Sequence, residues 1–446
     1  MKPSSLYGHL AELIAAVSGS LAPADAIVRK FFRDRHYIGS KERRWLSTRI
    51  FGVIRHRRLL EHLTSASLRI DPGESPVLPP LALAAAYATV LAAERTEEIV
   101  AGLEERWTES VPAMTPAEFL GSVAEHQRVV REPATTPEHL ALQYSFPDQP
   151  VREWVERLGQ SETEKLLSAL NTEAPLSIRV NTLRCTVHDC AARLKGEGVA
   201  TEPGVLSPFA LRLPARSQLE SLPSYREGWF EVQDEGSQLL SLLLRPEAGA
   251  RVIDACAGAG GKTMHLAALL NNQGALIAID PDAMKLKNLR DRAIRAGVKL
   301  NDIIEARHDD PALERLRGKG DGVLVDAPCS GLGTVRRNPW LKSALGGERE
   351  TSRSALQRDI LRHAAMMVRP GGRLVYSTCT LVRSENEDVV EEFLRDHDDF
   401  SPASAAEILK GWGIGVEQDS LYLTLWPQRN GTDGFFAAVM HRAAPR

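Results

Sequence analysis

The sequence predicts an α/β fold: a Rossmann-like, mostly parallel sheet with helices on both faces, preceded by an all-helical domain and a small α/β linking domain. Three observations carry that expectation. From Phe230 onward, short apolar runs (RVIDAC, GALIAID, DIIEAR, DGVLVDAP and GRLVYSTC) alternate with helical segments, the pattern of βαβ units. Residues 251–270, RVIDACAGAGGKTMHLAALL, read as a buried strand, an acid at its end, a glycine-rich turn and an apolar-periodic helix. Residues 1–137 carry only helical spacing of apolar side chains. The expected domains are 1–137, 138–229 and 230–446.

A chain of 446 residues is long enough for two or three domains, each with its own core. No apolar run approaches the roughly 20 residues that span a bilayer. The N-terminus, with one lysine and polar breaks, reads as an amphipathic helix and not as a signal peptide. Five scattered cysteines argue against a disulfide framework and for a reducing cytoplasm. Cys185 and Cys190 lack zinc spacing and a second Cys/His pair, so no metal is expected. The net charge of -3 hides a local excess: eleven Lys and Arg between Arg29 and Arg58 face only Asp34 and Glu42. That excess fits a polyanion contact or a solvated helix face equally well.

In chain order, helical spacing runs over 24–32, 40–63 and 81–100, punctuated by Pro76, Pro79 and Pro80. Trp45, Leu46, Ile50, Val53 and Ile54 form the stripe of the middle helix, which leaves Arg43, Arg44, Arg49 and Arg55 for the surface. In the linking domain, alternation at Leu176, Ile178 and Val180 predicts a strand, and FALRLP at 209–214 another. After the five strand candidates of the last domain, LYLTLWP and GFFAAVMH are expected to close the sheet, one of them antiparallel.

In open α/β sheets the ligand lies outside the carboxyl ends of the strands. Asp254, Asp280, Asp309, Asp326 and Cys379 end or follow five successive strands. One strand-end Asp is ordinarily a cap; five such residues in succession point to a site. The glycine loop, Cys256, Ala257, Gly258, Ala259, Gly260 and Gly261, lets backbone and free helix N–H groups approach a ligand closely. A phosphate-binding Walker A loop needs a glycine where Cys256 stands, and the dinucleotide fingerprint needs one at Thr263. The looser loop of methyl-donor enzymes remains. Asp280, twenty residues after Gly260, suits ribose hydroxyls, and Lys262 at the helix start calls for an acidic ligand group or a nearby Asp.

Cys329 in DAPCSG and Cys379 in YSTCT sit at strand ends, where a cysteine is better placed as a thiolate than as a small core hydrophobe. A thiolate and a methyl donor serve one reaction together, methylation of a pyrimidine at C5. The thiolate adds to C6, the enamine takes the methyl group, and loss of the C5 proton expels the cysteine.

DACAGAGGKT, DAPCSGLGTVRRNP and YSTCTLVRSENE, in that order and closed by PQRNGTDGFF, resemble the RNA cytosine-5 methyltransferases of the Rsm/Nop/Sun family. KERRWLSTRIFGVIRHRRLLEHL likewise resembles the NusB-like helical RNA-binding domain, so the resemblance covers nearly the whole chain. It implies a class I methyltransferase sheet, S-adenosylmethionine as cofactor and RNA as substrate, foremost 16S ribosomal RNA. It makes Cys379 the nucleophile, gives Cys329 a part in product release and sets Asp326 against the cytosine edge. The cofactor is then held by loop 256–261 with Lys262, Asp280, Asp309 and Asp326. Gly258-Ala259 replaces the family's Ala-Pro, while Gly260, Gly261 and Lys262 are kept. His308, Asp309 and Asp310 are consecutive, and Asp309 is the chosen third-strand contact. Ser384 and Glu387 read as a capping box, and Arg336, Arg337 and Lys342 as phosphate contacts. A cytoplasmic monomer without membrane contact is expected. The competing readings are a P-loop NTPase, from GGKT and GVLVD, and a non-catalytic RNA-binding protein with a decayed methyltransferase domain.

Overall fold

A computed structural model describes residues 1–446 except 21, 71–76, 93, 214–217, 345–347, 418–419 and 445–446. The chain forms two compact units, Met1–Asn171 with Asn338–Ala344, and Thr172–Arg337 with Leu345–Arg446.

Among the described residues the first unit holds ten α-helices: α1 (Pro3–Ser18), α2 (Ala24–Arg33), α3 (Ser40–Arg55), α4 (Arg57–Leu68), α5 (Pro80–Val90), α6 (Thr96–Ser110), α7 (Pro116–Val130), α8 (Pro137–Gln143), α9 (Asp148–Leu158) and α10 (Gln160–Leu170). Leu46, Ile50, Val53 and Ile54 of α3 are buried at the spacing that puts them on one helix face. Thr115 caps α7 reciprocally: its hydroxyl accepts from Glu118 N at 3.3 Å, and the Glu118 carboxylate accepts from Thr115 N at 2.8 Å.

The basic stretch keeps Arg29, Lys30, Arg33, Lys41 and Arg44 exposed, but part of it is paired. Acids distant in sequence meet it. Arg49 donates to Glu94 at 3.0 Å and lies 3.8 Å from the Trp45 ring centroid. Arg58 pairs with Asp148 at 2.7 Å and Arg35 with Glu12 at 3.0 Å. Lys342, expected to meet phosphate, is buried in this unit instead. Its ammonium donates to Arg55 O at 2.8 Å and Tyr144 O at 3.3 Å, and sits 3.8 Å from the Phe146 ring centroid. Burial, with Arg55 beside it, pushes its pKa well below the usual lysine range.

The second unit contains two sheets. The smaller has strand order β2-β3-β1-β4, all antiparallel, built from β1 (Leu176–Val180), β2 (Glu202–Pro203), β3 (Ala210–Leu213) and β4 (Phe230–Val232). It carries α11 (Val187–Gly196) and α12 (Pro223–Arg226). The larger comprises β5 (Arg251–Asp254), β6 (Ala275–Asp280), β7 (Asp302–Glu305), β8 (Gly320–Asp326), β9 (Val368–Thr378), β10 (Phe400–Ala403), β11 (Leu423–Leu425) and β12 (Phe435–Arg442). Its order is β10-β12-β9-β8-β5-β6-β7, with β11 paired to β12. Strands β5 to β9 are parallel and β12 runs antiparallel to β9, as expected for the closing strand. β10 had no clear signal in the sequence, because FSPA carries one large apolar residue.

Period-two alternation decides which face each strand residue serves. Ile253, Ile277, Val323, Leu374 and Phe436 pack with α16 (Glu348–Met367) and α17 (Glu387–Asp396). Val252, Leu276, Leu324, Val375 and Ala437 face α13 (Glu235–Leu244), α14 (Gly261–Leu269) and α18 (Ala405–Lys410). Helix α15 (Ala283–Ala296) follows β6, and α19 (Pro427–Asn430) precedes β12. The strand order reverses direction between β5 and β8, so the crevice used by open α/β sheets opens at their carboxyl ends.

One stability prediction follows from the helical core. Trp107 is buried, lies 5.2 Å from the Phe119 ring, and donates its indole N–H to Met114 O at 2.8 Å. Trp107→Ala is expected to remove about 3–5 kcal/mol, read as a lower denaturant midpoint of the intact chain. A loss below about 1 kcal/mol would contradict the packing described here.

Candidate functional site

Asp254 ends β5 and is almost fully buried. Its carboxylate accepts from the Thr263 hydroxyl of α14 at 2.7 Å, and burial pushes its pKa up to about 6. The glycine loop turns away from this strand end. Gly258 takes φ 54° and Gly260 φ 85°, the left-handed region where glycine is unstrained. A Cβ on Gly260 would press to 2.7 Å from the Leu289 side chain, so this glycine also lets the loop pack closely on α15. Gly258 N donates to Asp280 at 2.8 Å, and the other oxygen of Asp280 accepts from Asp282 N at 2.9 Å. Asp280 is thereby fixed, buried, at the end of β6. Cys256 is half-buried within the core of the sheet, and burial with nearby Asp254 pushes its thiol up, which fits a structural side chain.

Two arginines not singled out in the sequence hold the loop from behind. Arg292 of α15 donates to Ala259 O at 2.6 Å, and Arg179 of β1 donates to Gly261 O at 2.7 Å. Arg179 is fully buried, and its pKa is lowered to about 10 by burial. Arg292 is paired at 2.9 Å with Glu231 of β4, itself buried. The only sequence signal was a charge inside each of two apolar strands, LSIRV and FEV.

Lys262, in the first turn of α14, donates to Asp326 at the end of β8. Burial works against its charge, but Asp326 outweighs burial and raises the pKa, with Cys379 and Asp254 also within electrostatic reach. The second oxygen of Asp326 accepts from the Ser377 hydroxyl at 3.2 Å. Parallel pairing sets Asp326 beside Ser377, so the loops leaving β8 and β9 start level. They bring the two cysteines together: Cys329 Sγ and Cys379 Sγ are 3.3 Å apart, and Cys379 N donates to Cys329 Sγ at 3.3 Å. Both are free thiols, partly exposed. The contact with Cys379, together with burial, pushes the Cys329 thiol up.

Asp309 follows the end of β7 by four residues. It is exposed and paired with Arg307 at 3.3 Å, while Asp310 caps the short turn that follows, accepting from Ala312 N at 2.8 Å. The phosphate role expected of Arg336 and Arg337 is also not what their contacts serve. Arg336 donates to Thr432 O at 3.2 Å and Glu173 O at 3.1 Å, and Arg337 pairs with Asp234 at 2.9 Å and with Asp433. They tie the loop after Cys329 to the strand ends around it. Ser384 does not occupy the N-cap position expected of it. Helix α17 starts at Glu387 with Asn386 at its N-cap position, preceded by a single 3₁₀ turn over Arg383–Glu385.

The cysteine loop is closed by backbone. Gly333 N donates to Cys379 O at 2.9 Å and Gly434 N to Gly333 O at 2.8 Å. A Cβ on Gly333 would collide with the Gly434 carbonyl, which explains glycine in both GLGTV and TDGFF. Among the described residues no helix is long and apolar enough to cross a membrane, and no group of three or more His, Cys, Asp or Glu could hold a metal ion.

Comparison with known proteins agrees with this arrangement. A family model described as 16S rRNA methyltransferase RsmB/F matches residues 241–441, and one described as the RsmF/B-like ferredoxin-like domain matches residues 146–220. A probable ribosomal RNA small subunit methyltransferase B of Synechocystis is 35% identical over 68% of each chain. A second, of Bacillus subtilis, is 32% identical over 68% of each chain. The crystal structure of PH0851 superposes with a TM-score of 0.76 at 25% identity, over 99% of each chain. Sequence, sheet order and the cysteine-bearing strand ends lead to one assignment: the chain belongs to the 16S rRNA methyltransferase RsmB/F family.

Proposed function

We propose that this chain transfers a methyl group from S-adenosylmethionine to C5 of a cytosine in RNA, through a covalent bond between Cys379 and C6. The substrate in this reading is 16S ribosomal RNA, met in the cytoplasm. The observation that carries the reading is the pair of sulfurs 3.3 Å apart beside the Lys262–Asp326 ion pair. The names of the relatives, ribosomal RNA small subunit methyltransferases, support the substrate class.

The loop residues fit the cofactor. A Cβ built on Gly258 meets nothing within 4 Å, so this turn of the loop borders open space, and Gly261 is nearly as open. Asp280, rigidly held by two backbone N–H groups, is the acceptor for ribose hydroxyls, and Lys262 is the partner for a carboxylate. Asp309, which follows the third strand, is the remaining member of the assigned set. When bound, S-adenosylmethionine supplies an electrophilic methyl group to C5 of the activated base.

The chain's own residues do the rest. Cys379 adds as a thiolate to C6, beside the Lys262–Asp326 ion pair. The Asp326 carboxylate accepts from the exocyclic amino group of the ring, and a proton taken up at N3 as the S–C6 bond forms, and given back on release, balances the electron density that rises there. For release, a base takes the C5 proton, the C6–S bond breaks and its electron pair returns to the Cys379 sulfur; Cys329 assists from 3.3 Å away. The target base must leave any stack to reach Cys379, which favours an accessible nucleotide in folded RNA.

Incubation with labelled S-adenosylmethionine and unmodified 16S ribosomal RNA is expected to place label on cytosine C5. Absence of label at that atom on every RNA tried would sink the reading. Cys329→Ala is expected to accumulate an SDS-stable protein–RNA adduct and Cys379→Ala to form none; the reverse pattern would exchange their roles. For the cofactor, Asp280→Ala removes a charged acceptor of two N–H groups and is expected to weaken S-adenosylhomocysteine binding by about 10- to 100-fold in calorimetry. Asp309→Ala, from an exposed pair, should cost less than about tenfold; an equal loss in the two variants would make Asp309 a full partner in the site.

A further inference from the structure

Two adjacent residues beyond the reacting groups each hold one of the two cysteine loops, which the Ser330 and Thr380 hydroxyls also join at 2.8 Å. Glu385 is fully buried. Its carboxylate accepts from Ser330 N, directly after Cys329, at 2.8 Å, and from Gln357 Nε2 at 2.9 Å. The same Gln357 nitrogen donates to Pro328 O, directly before Cys329, at 2.9 Å. Arg353 lies 3.6 Å from the other Glu385 oxygen and balances the charge. Asn386 grips the second loop with both ends of one carboxamide. Its oxygen accepts from the Thr378 hydroxyl at 2.5 Å and its nitrogen donates to Thr380 O at 3.1 Å, one contact on each side of Cys379. Tyr376 OH donates to Glu385 O at 2.7 Å, so the pair of residues is itself anchored to β9.

A buried carboxylate costs several kcal/mol unless donors surround it. Here the donors are Ser330 N, directly after Cys329, and Gln357 Nε2, which also donates to Pro328 O directly before it. Glu385 also adds to the upward push on the Cys329 thiol, after the Cys379 contact and burial. Cys379 lies between Thr378 and Thr380, both fully buried, so the carboxamide of Asn386 fixes the one partly exposed residue of that turn.

We propose that Glu385 and Asn386 are positioning residues with divided duties: Glu385 sets the Cys329 loop for release of the product, and Asn386 sets Cys379 for attack on C6. The proposal rests on the assignment of the two cysteines given above. Misplacement of a reacting group by about 1 Å costs on the order of 100-fold in rate, so each variant should slow turnover by about 10- to 100-fold, at a different step.

The test uses the full chain with 16S ribosomal RNA and S-adenosylmethionine. It reads turnover, the SDS-stable adduct, and S-adenosylhomocysteine binding as a measure of the intact fold. Glu385→Ala is expected to turn over slowly while accumulating adduct. Glu385→Gln keeps an oxygen for Ser330 N and should recover most of the turnover. Asn386→Ala is expected to turn over slowly without adduct, and in a Cys329→Ala background to trap adduct about tenfold more slowly than Cys329→Ala alone. Equal adduct levels in Glu385→Ala and Asn386→Ala, wild-type turnover in either, or loss of S-adenosylhomocysteine binding would overturn the division. Cys329→Ala run in parallel identifies the level of failure: if it traps no adduct, the cysteine assignment itself has fallen, and the proposal with it.

Discussion

The pairing of β8 with β9 is the constraint on which the site depends. Because Asp326 lies beside Ser377 in parallel register, each strand sends out its loop at the same height. A one-residue slip of either strand would turn its core residue, Val325 or Tyr376, to the opposite face and carry the following cysteines out of register with each other. The register is held by burial: both strands lie between the helices of two apolar clusters, and neither face can be exchanged without exposing a row of aliphatic side chains. The approach of Cys329 to Cys379 is in that sense a product of core packing several residues away.

The glycine loop has a second dependence. Its carbonyls at Ala259 and Gly261 are held by Arg292 and Arg179, and Arg179 belongs to the small antiparallel sheet. The loop lacks the proline of its relatives by resemblance, and two guanidinium contacts restrain it at the positions that follow Gly258. The small sheet thus serves the glycine loop as well as its own core, which gathers Ile178, Val180, Leu211 and Phe230 on its other side.

What the sequence made legible is what local pattern controls. The alternation of apolar runs gave the parallel strands, the glycine turn gave the start of α14, and the strand-end rule brought Asp254, Asp280, Asp309, Asp326 and Cys379 under suspicion, with Cys329 added by its place just past a strand, before any geometry was known. Pairing through space was not legible. Arg49 looked free because Glu94 is distant in the chain, and Lys342 looked like a phosphate contact because the carbonyls of Arg55 and Tyr144 belong to helical segments far upstream. Ser384 to Glu387 matched a capping motif, yet Glu385 and Asn386 serve the loops of β8 and β9, contacts that no helix signature encodes. Asp309 and Asp310 could be separated only once the turn capped by Asp310 was seen.

The segment Asn338–Ala344 has a practical bearing on how the protein can be cut. It follows the cysteine loop in sequence but belongs with the helical unit, where Trp340 packs against the hydrophobic core and Lys342 is buried. The polypeptide therefore passes between its units three times, not once. A fragment beginning at Thr172 would retain an indole and an ammonium whose surroundings had been removed, one inviting aggregation and the other resolvated. Truncation at the first crossing is thus a poor route to an isolated catalytic half; replacing Trp340 and its neighbours by a short polar linker is the natural companion to any such cut.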